Sequence, residues 1–417
     1  MKTPKGTRDL LPEETRLFQA IEQRAIDFFG RYGFQEIRTP LFEETSLFIR
    51  GIGDETDIVT KEMYRFQTKG GDDLTLRPEM TASVCRAVVQ HHLVGKDELL
   101  RLLYMGPMFR YERPQAGRYR QFHQLGAEVF GSADPLIDAE TIQALIAFLE
   151  PYQLPNLTLH LNSVGDETDR PQYLAYLREA LTAVRDQLCA DCQRRLETNV
   201  LRLLDCKNPT CRQQLVALKP ISDFWSAENR QHFEAVCNYL AQVGIRFEIN
   251  PFLVRGLDYY TKTAFELLSG DLGAQSAVMG GGRYDKLLEQ IGGSPTPAFG
   301  WALGIDRLVT LIRNQGTSPE PATDLFFVFG ERAWLDESFA LICQLRAQGF
   351  SVLYDPRVGS FKSQMKRANK HQARLTAIIG ESEYQSKTVT LKDMAKSEQQ
   401  TLALDQLASY LKEVLAC

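Results

Sequence analysis

Two strand-like runs either side of one turn constrain this chain more than any other feature. Residues 100–105 and 124–130 are rich in Leu, Val, Tyr and Phe, and Pro114 to Gly117 reads as a turn or longer loop between adjacent strands. Further strand-like runs lie at 34–38, closed by Pro40, and at 74–76. Residues 12–32 form an amphipathic pattern with Leu17, Ile21, Phe28 and Tyr32 on one stripe and Gly33 placed as a C-cap. A second helix is expected from about Pro135 to Leu149. Strands separated by long helices and loops, without regular βαβ spacing, predict an α+β fold with an antiparallel sheet flanked by helices.

The pattern changes twice. Residues 165–245 are polar, helix-rich and hold Cys189, Cys192, Cys206 and Cys211, after which strand-like sequence resumes at Phe247. This reads as an insertion within a first domain spanning 1–324. Residues 313–324 are polar and aperiodic, with Gly316, Pro319 and Pro321. Beyond them strand and helix patterns alternate, at 325–329, 333–348, 351–355, 361–371 and 376–380, predicting a small α/β domain over 325–417. A chain of 417 residues that is 44% apolar can bury a large core and form two or three domains.

The net charge of −5 excludes a chain-wide basic field, so nucleic-acid contact would need local patches. No apolar run approaches the ~20 residues that span a bilayer. The first residues lack the apolar stretch of a secretory signal. Eight cysteines in so long a chain fit a reducing cytoplasm and free thiols.

The richest segment is Phe109-Arg110-Tyr111-Glu112-Arg113-Pro114-Gln115-Ala116-Gly117-Arg118-Tyr119-Arg120-Gln121-Phe122-His123-Gln124. Four arginines and no lysine fall within eleven residues. Guanidinium forks suit phosphate oxygens and stack on flat rings. Taken alone, the spacing also fits a hairpin with a solvated charged face. No G-x-x-x-x-G-K-[ST] is present, so a P-loop is not the nucleotide site.

This segment resembles motif 2 of class II aminoacyl-tRNA synthetases, and in its detail the histidyl-tRNA synthetase family. Gly33 to Pro40 resembles motif 1, which implies a homodimer. Ala298-Phe299-Gly300-Trp301-Ala302-Leu303-Gly304-Ile305-Asp306-Arg307 resembles motif 3, with Asp306 where Glu is also frequent. Leu253-Val254-Arg255-Gly256-Leu257-Asp258-Tyr259-Tyr260-Thr261 resembles the peptide peculiar to histidyl enzymes, and Gly280-Gly281-Gly282-Arg283-Tyr284-Asp285 also matches them. Read alone, the glycines are equally a flexible turn.

The resemblance implies that ATP, with Mg2+, binds Arg110, Glu112, Arg118, Phe122 and Arg307. It implies that Arg255 and Arg110 are catalytic, as fixed cations where adenylation builds charge. Histidine would contact Glu79, Thr81, Arg110, Gln124, Glu128, Arg255, Tyr259 and Tyr260. Gln124 and Glu128 share a strand face by their spacing, and a carboxylate beside an imidazole can hold one tautomer. Such a site discriminates by hydrogen bonding and needs no editing domain. Without the family, Arg77-Pro78-Glu79 is more readily a helix start.

tRNA(His) is the implied partner, through Gln115 and through Arg357, Lys362, Lys366 and Lys370 of a C-terminal anticodon-binding domain. The three lysines repeat every four residues and share a helix face, which alone fits a solvated surface. Cys189-x-x-Cys192 and Cys206-x4-Cys211 have a spacing compatible with zinc, although free thiols are the expectation. The function implied is histidine activation by ATP and transfer to tRNA. The alternative is a non-catalytic regulatory paralogue of the ATP phosphoribosyltransferase type, which usually lacks the anticodon domain.

Overall fold

The computed structural model describes all residues except 54–55, 96–97, 115–116, 276, 317–322 and 416–417, with backbone alone at 273–275. Two compact units divide the chain, Met1–Thr317 and Ser318–Cys417.

In the first unit the chain forms α1 (Pro12–Gly30), β1 (Gln35–Glu36), β2 (Phe42–Glu44), α2 (Thr45–Ile52), β3 (Tyr64–Gln67), β4 (Asp73–Leu76) and α3 (Thr81–Gln90). Then come β5 (Leu100–Phe109), β6 (Gln121–Phe130), α4 (Pro135–Leu149), β7 (Leu157–Ser163), α5 (Arg170–Thr182), α6 (Ala190–Thr198), α7 (Pro209–Val216) and α8 (Ala227–Gln242). The unit closes with β8 (Glu248–Ile249), β9 (Thr261–Ser269), β10 (Ala277–Arg283), α9 (Leu287–Gln290), β11 (Ala298–Gly304) and α10 (Ile305–Asn314).

The main sheet has the order β1-β5-β6-β11-β10-β9-β7-β8. The six central strands are antiparallel, and the two-residue edge strands pair in parallel. The expected α+β class is therefore present. Helices α1, α4, α8 and α10 cover one face. Because side chains alternate along a strand, this packing decides what the other face can hold. Leu125, Ala127 and Val129 of β6 enter the helix-covered core, which leaves Phe122, Gln124, Gly126 and Glu128 opposite. In β9, Phe265 and Leu267 face the helices and Glu266 does not.

Several expectations shift. The first helix ends at Gly30, and a tight turn through Gly33 at φ +80° replaces its last predicted residues. Its buried stripe runs through Leu17, Phe18, Ile21, Ala25 and Phe29. The strand expected at 34–38 shrinks to β1. Gly280 to Gly282 lie in β10 and not in a turn. The last helix of the polar stretch, α8, buries Phe233, Val236 and Leu240 in the main core. The remaining helices α5, α6 and α7 build a separate cluster around Tyr173, Leu177, Cys192 and Leu203.

The second unit carries β12 (Thr323–Phe329), α11 (Arg332–Ala347), β13 (Val352–Tyr354), α12 (Phe361–Lys370), β14 (Ala373–Ile379), α13 (Glu381–Ser386), β15 (Thr388–Asp393), β16 (Gln399–Ala403) and α14 (Leu407–Leu415). Its sheet order is β13-β12-β14-β15-β16, with β13, β12 and β14 parallel and the rest antiparallel. Leu325, Phe327 and Phe329 pack under α11 and α14, while Phe326 and Val328 pack under α12.

Candidate active site

Arg110, Arg255 and Arg307 come from distant parts of the sequence, yet all three line one cavity of about 420 Å³. Arg110 follows β5, and its Nε donates to the Pro78 carbonyl at 2.8 Å. Its guanidinium lies over the Phe122 ring at 5.3 Å, so that face of Phe122 is already covered by a cation. Arg118 and Glu112 form an ion pair at the cavity wall. Arg307 sits in the first turn of α10 and reaches across to the carbonyls of Ala277 and Gly117. Burial, then Arg118 and Arg110, hold its pKa below the usual arginine value. Cations held this close repel one another until a polyanion enters. Gln115, expected at the tRNA end, lies outside the described residues.

Arg255, Tyr259 and Tyr260 lie on irregular backbone between β8 and β9, so the carbonyls of this loop need side-chain donors. Asn162 Nδ2 donates to Leu253 O at 3.0 Å, and Arg202 Nη1 donates to Arg255 O at 3.0 Å. Arg170 donates to the Tyr260 carbonyl. Arg170 and Arg202 come from the inserted segment, which therefore shapes the loop. Burial alone would lower the Arg255 pKa, but Glu266 pairs with it and keeps it charged. Its Nε and the Gln124 Oε1 are buried without hydrogen-bond partners, leaving polar atoms for a ligand. Tyr259 and Tyr260 are buried with ring centroids 4.7 Å apart, and burial pushes both phenols up. They remain neutral donors.

Gly280 makes this arrangement possible: a β-carbon there would overlap the Arg255 guanidinium. Any larger residue at 280 would have to push that guanidinium aside.

Glu79 reaches the cavity and also caps α3, accepting from Thr81 N at 2.7 Å and Ala82 N at 2.9 Å. The helix starts at Thr81, later than the sequence alone suggests, so Glu79 caps it from outside its first turn. Burial raises its pKa, opposed by those backbone donors. Glu128 differs from expectation. It is fully buried beneath the cavity and absent from its lining. Thr81 Oγ1 at 2.7 Å and Tyr104 OH at 3.0 Å donate to one oxygen, and Tyr284 OH donates to the other. Burial pushes its pKa up to about 8. Gly300 and Gly126 leave the room: a β-carbon on the first would overlap the Glu128 carboxylate, and one on the second the Tyr104 ring.

The structure adds residues that sequence reasoning missed. Glu266 pairs with Arg255; its signal was a carboxylate in the middle of an otherwise apolar stretch, Ala264 to Leu268. Tyr104 and Tyr284 hold Glu128, and nothing local to either position reveals it. Arg8 bridges Glu14 at 2.6 Å and Asp306 at 2.7 Å and stacks on Tyr119 at 4.7 Å. Asp306 also accepts from His123 N at 2.7 Å, so it ties the N-terminal arm and β6 to α10. Asp205 and Lys207 of the inserted segment line the same cavity. In the second unit, Lys362, Lys366 and Lys370 lie along α12, Gln364 and Ala368 are buried on its opposite side, and Arg357 is exposed nearby. The described cysteines are free thiols, and four of them converge.

A central antiparallel sheet, with three arginines and a stacked aromatic converging on a cleft beside a buried carboxylate, defines the catalytic domain of a class II aminoacyl-tRNA synthetase. Residues 6–308 match the sequence model for histidyl-tRNA synthetase, and residues 328–414 match that for an anticodon binding domain. The chain belongs to the histidyl-tRNA synthetase family. It is 49% identical to a histidine–tRNA ligase of Trichlorobacter lovleyi, over 96% of this chain and 95% of that protein. It is 46% identical to one of Pelotomaculum thermopropionicum, over 98% and 97%. Among solved structures, apo histidyl-tRNA synthetase of S. aureus matches with a TM-score of 0.81 and 35% identity, over 99% of this chain and 100% of that one.

Proposed function

We infer that this chain activates L-histidine with ATP to histidyl-adenylate and pyrophosphate, then transfers the histidyl group to the 3′ end of tRNA(His). The observation that carries this reading is the single cavity in which Arg110, Arg255 and Arg307 meet Glu79, Gln124 and the Tyr259–Tyr260 pair.

A histidine carboxylate oxygen attacks the α-phosphorus, a P–O bond forms, and pyrophosphate leaves. Arg255 and Arg110 face the charge that builds there, in a site where fixed cations act strongly. Arg307 and Arg118 receive the departing pyrophosphate, and Phe122 offers its open face to adenine. Glu79 and Thr81 bind the α-amino group. Gln124 and the two phenols address the imidazole, with Glu128 behind them. Mg2+ would arrive with ATP and neutralise its phosphate charge; Glu112 and Glu266, which line the cavity together with Glu79, Asp205 and Asp306, are hard oxygen donors of the kind it takes. A ribose hydroxyl of the tRNA end then attacks the adenylate carbonyl and AMP leaves.

The α12 lysines and Arg357 are proposed to contact tRNA phosphates. A homodimer through motif 1 is supported by exposed Leu41, Phe42 and Phe66 near Pro40, and light scattering tests it. Among the described residues no helix is long and apolar enough to cross a membrane, and a tRNA partner supports a cytoplasmic location. The regulatory-paralogue alternative is not favoured: the full-length relatives are ligases, and the three arginines and the anticodon-binding domain are all present.

ATP–pyrophosphate exchange with each of the twenty amino acids tests the reading. Exchange with histidine alone is expected; exchange with none, or with another amino acid, overturns it.

A further inference from the structure

We propose that Cys189, Cys192, Cys206 and Cys211 bind one structural zinc ion that fixes the inserted segment over the active site. Their four Sγ atoms all lie within 4.8 Å of one another. Tetrahedral Zn–S bonds of ~2.3 Å place sulfurs about 3.8 Å apart. The Cys189 and Cys206 sulfurs are 4.0 Å apart, close to that edge and far from a disulfide bond. Cys192, Cys206 and Cys211 are buried and Cys189 is half-buried, so the group is shielded from solvent. The Cys189 backbone N–H donates to Cys211 Sγ at 3.2 Å, the kind of contact that surrounds metal thiolates.

The local fold gives the ion a task. Helices α6 and α7 have nine and eight residues and are joined by a 3-10 turn, Val200–Asp205. Such short elements hold few apolar side chains, and small units of this kind need a staple. The four cysteines stand at its centre: Cys189 before α6, Cys192 within it, Cys206 after the 3-10 turn and Cys211 in α7. That turn carries Arg202, which holds the Arg255 carbonyl, and Cys206 sits between Asp205 and Lys207 on the cavity wall. A zinc ion here would lock one wall of the histidine pocket without touching substrate. Binding sends the thiol protons to solvent, so affinity falls as pH falls. This goes beyond the proposed reaction, which holds with or without the ion.

The test starts from the full chain, purified without chelator from zinc-supplemented cells, with metal measured by mass spectrometry. About one zinc per chain is expected after extensive dialysis. Cobalt(II) exchanged into the site should give the intense visible bands and thiolate charge transfer of a tetrahedral sulfur site. Cys206→Ser with Cys211→Ser should lose the metal, whereas Cys343→Ser should keep it. Chelating the unmodified chain should speed hydrogen exchange at residues 199–207, a readout independent of catalysis and of whether the variant folds. Absence of retained zinc and of the cobalt spectrum overturns the proposal, as does a mass showing two disulfides among these cysteines.

Discussion

Gly280 stands directly against the guanidinium of Arg255, in the space where any other residue would put a β-carbon. The cation is held between this bare backbone and Glu266. Gly280→Ala should therefore displace Arg255 and lower histidine-dependent pyrophosphate exchange by about 10²-fold, as losing a preorganised charge does. Arg255→Ala should do at least as much with the fold intact by circular dichroism. Because both changes act on one group, the double variant should be little worse than Arg255→Ala. Near-normal exchange in Arg255→Ala would remove this residue from the mechanism.

Arg307 should matter to one substrate and not to the other. It sits near Arg118 and Arg110 and reaches the carbonyls of Ala277 and Gly117. Arg307→Ala should raise the KM for ATP by roughly 10- to 100-fold, the span of a charged hydrogen bond worth about 1.5–3 kcal/mol. The KM for histidine should stay nearly constant. Equal rises for both substrates would contradict the assignment to the phosphates.

Glu128 predicts a pH dependence. Its folded pKa of about 8 lies above the ordinary carboxylate value. A group shifted this way contributes its stability fully below the unfolded pKa, and the contribution fades as pH rises through the folded pKa. Glu128→Gln keeps the shape and removes the ionisation. The difference in Tm between the variant and the unmodified protein should move in favour of the variant as pH rises from the unfolded carboxylate value toward about 8. A difference that is flat across that window would mean Glu128 titrates normally.

The basic face of α12 should serve tRNA alone. Replacing Lys362, Lys366 and Lys370 by Ala should weaken charging and leave pyrophosphate exchange unchanged. It should also flatten the salt dependence of tRNA binding by about 0.7 in log–log slope for each phosphate no longer neutralised. Equal losses in exchange and charging would refute the tRNA role.

Arg283 and Asp138 are both fully buried and paired, and Asp138 also meets His232 at 3.0 Å. Arg283→Met should destabilise the fold by about 3–5 kcal/mol, because it leaves the buried Asp138 carboxylate without its guanidinium and with His232 alone. Urea unfolding reads this directly, and a change below about 1 kcal/mol would show the pair to be dispensable.

The sequence was most legible where periodicity or a rare residue type acts locally. Helix α4 appears within its expected bounds, and β5 and β6 extend the expected runs toward their turn. Arg110 stood out in its arginine-rich segment, Arg255 and Arg307 came from the family resemblance, and one cavity holds all three. Legibility failed where partners are distant in the chain. Tyr104 and Tyr284 lie 24 and 156 residues from Glu128, and only the sheet brings them together. Nothing in Gly280 to Gly282 distinguishes a turn from a strand that must leave space for a neighbour. The polar stretch hid the role of α8, because its apolar stripe becomes meaningful only against α4.

The chamber around Glu128 also limits what this scaffold can become. Its walls are Gly126 and Gly300, and its occupants are one carboxyl and three hydroxyls that satisfy each other. Shortening the Glu128 side chain leaves hydroxyls facing a void, and adding a β-carbon at either glycine meets an occupant that is already there. Reshaping this chamber would demand several coordinated replacements, each harmful on its own, so selection drifting one step at a time would find it very hard to repurpose.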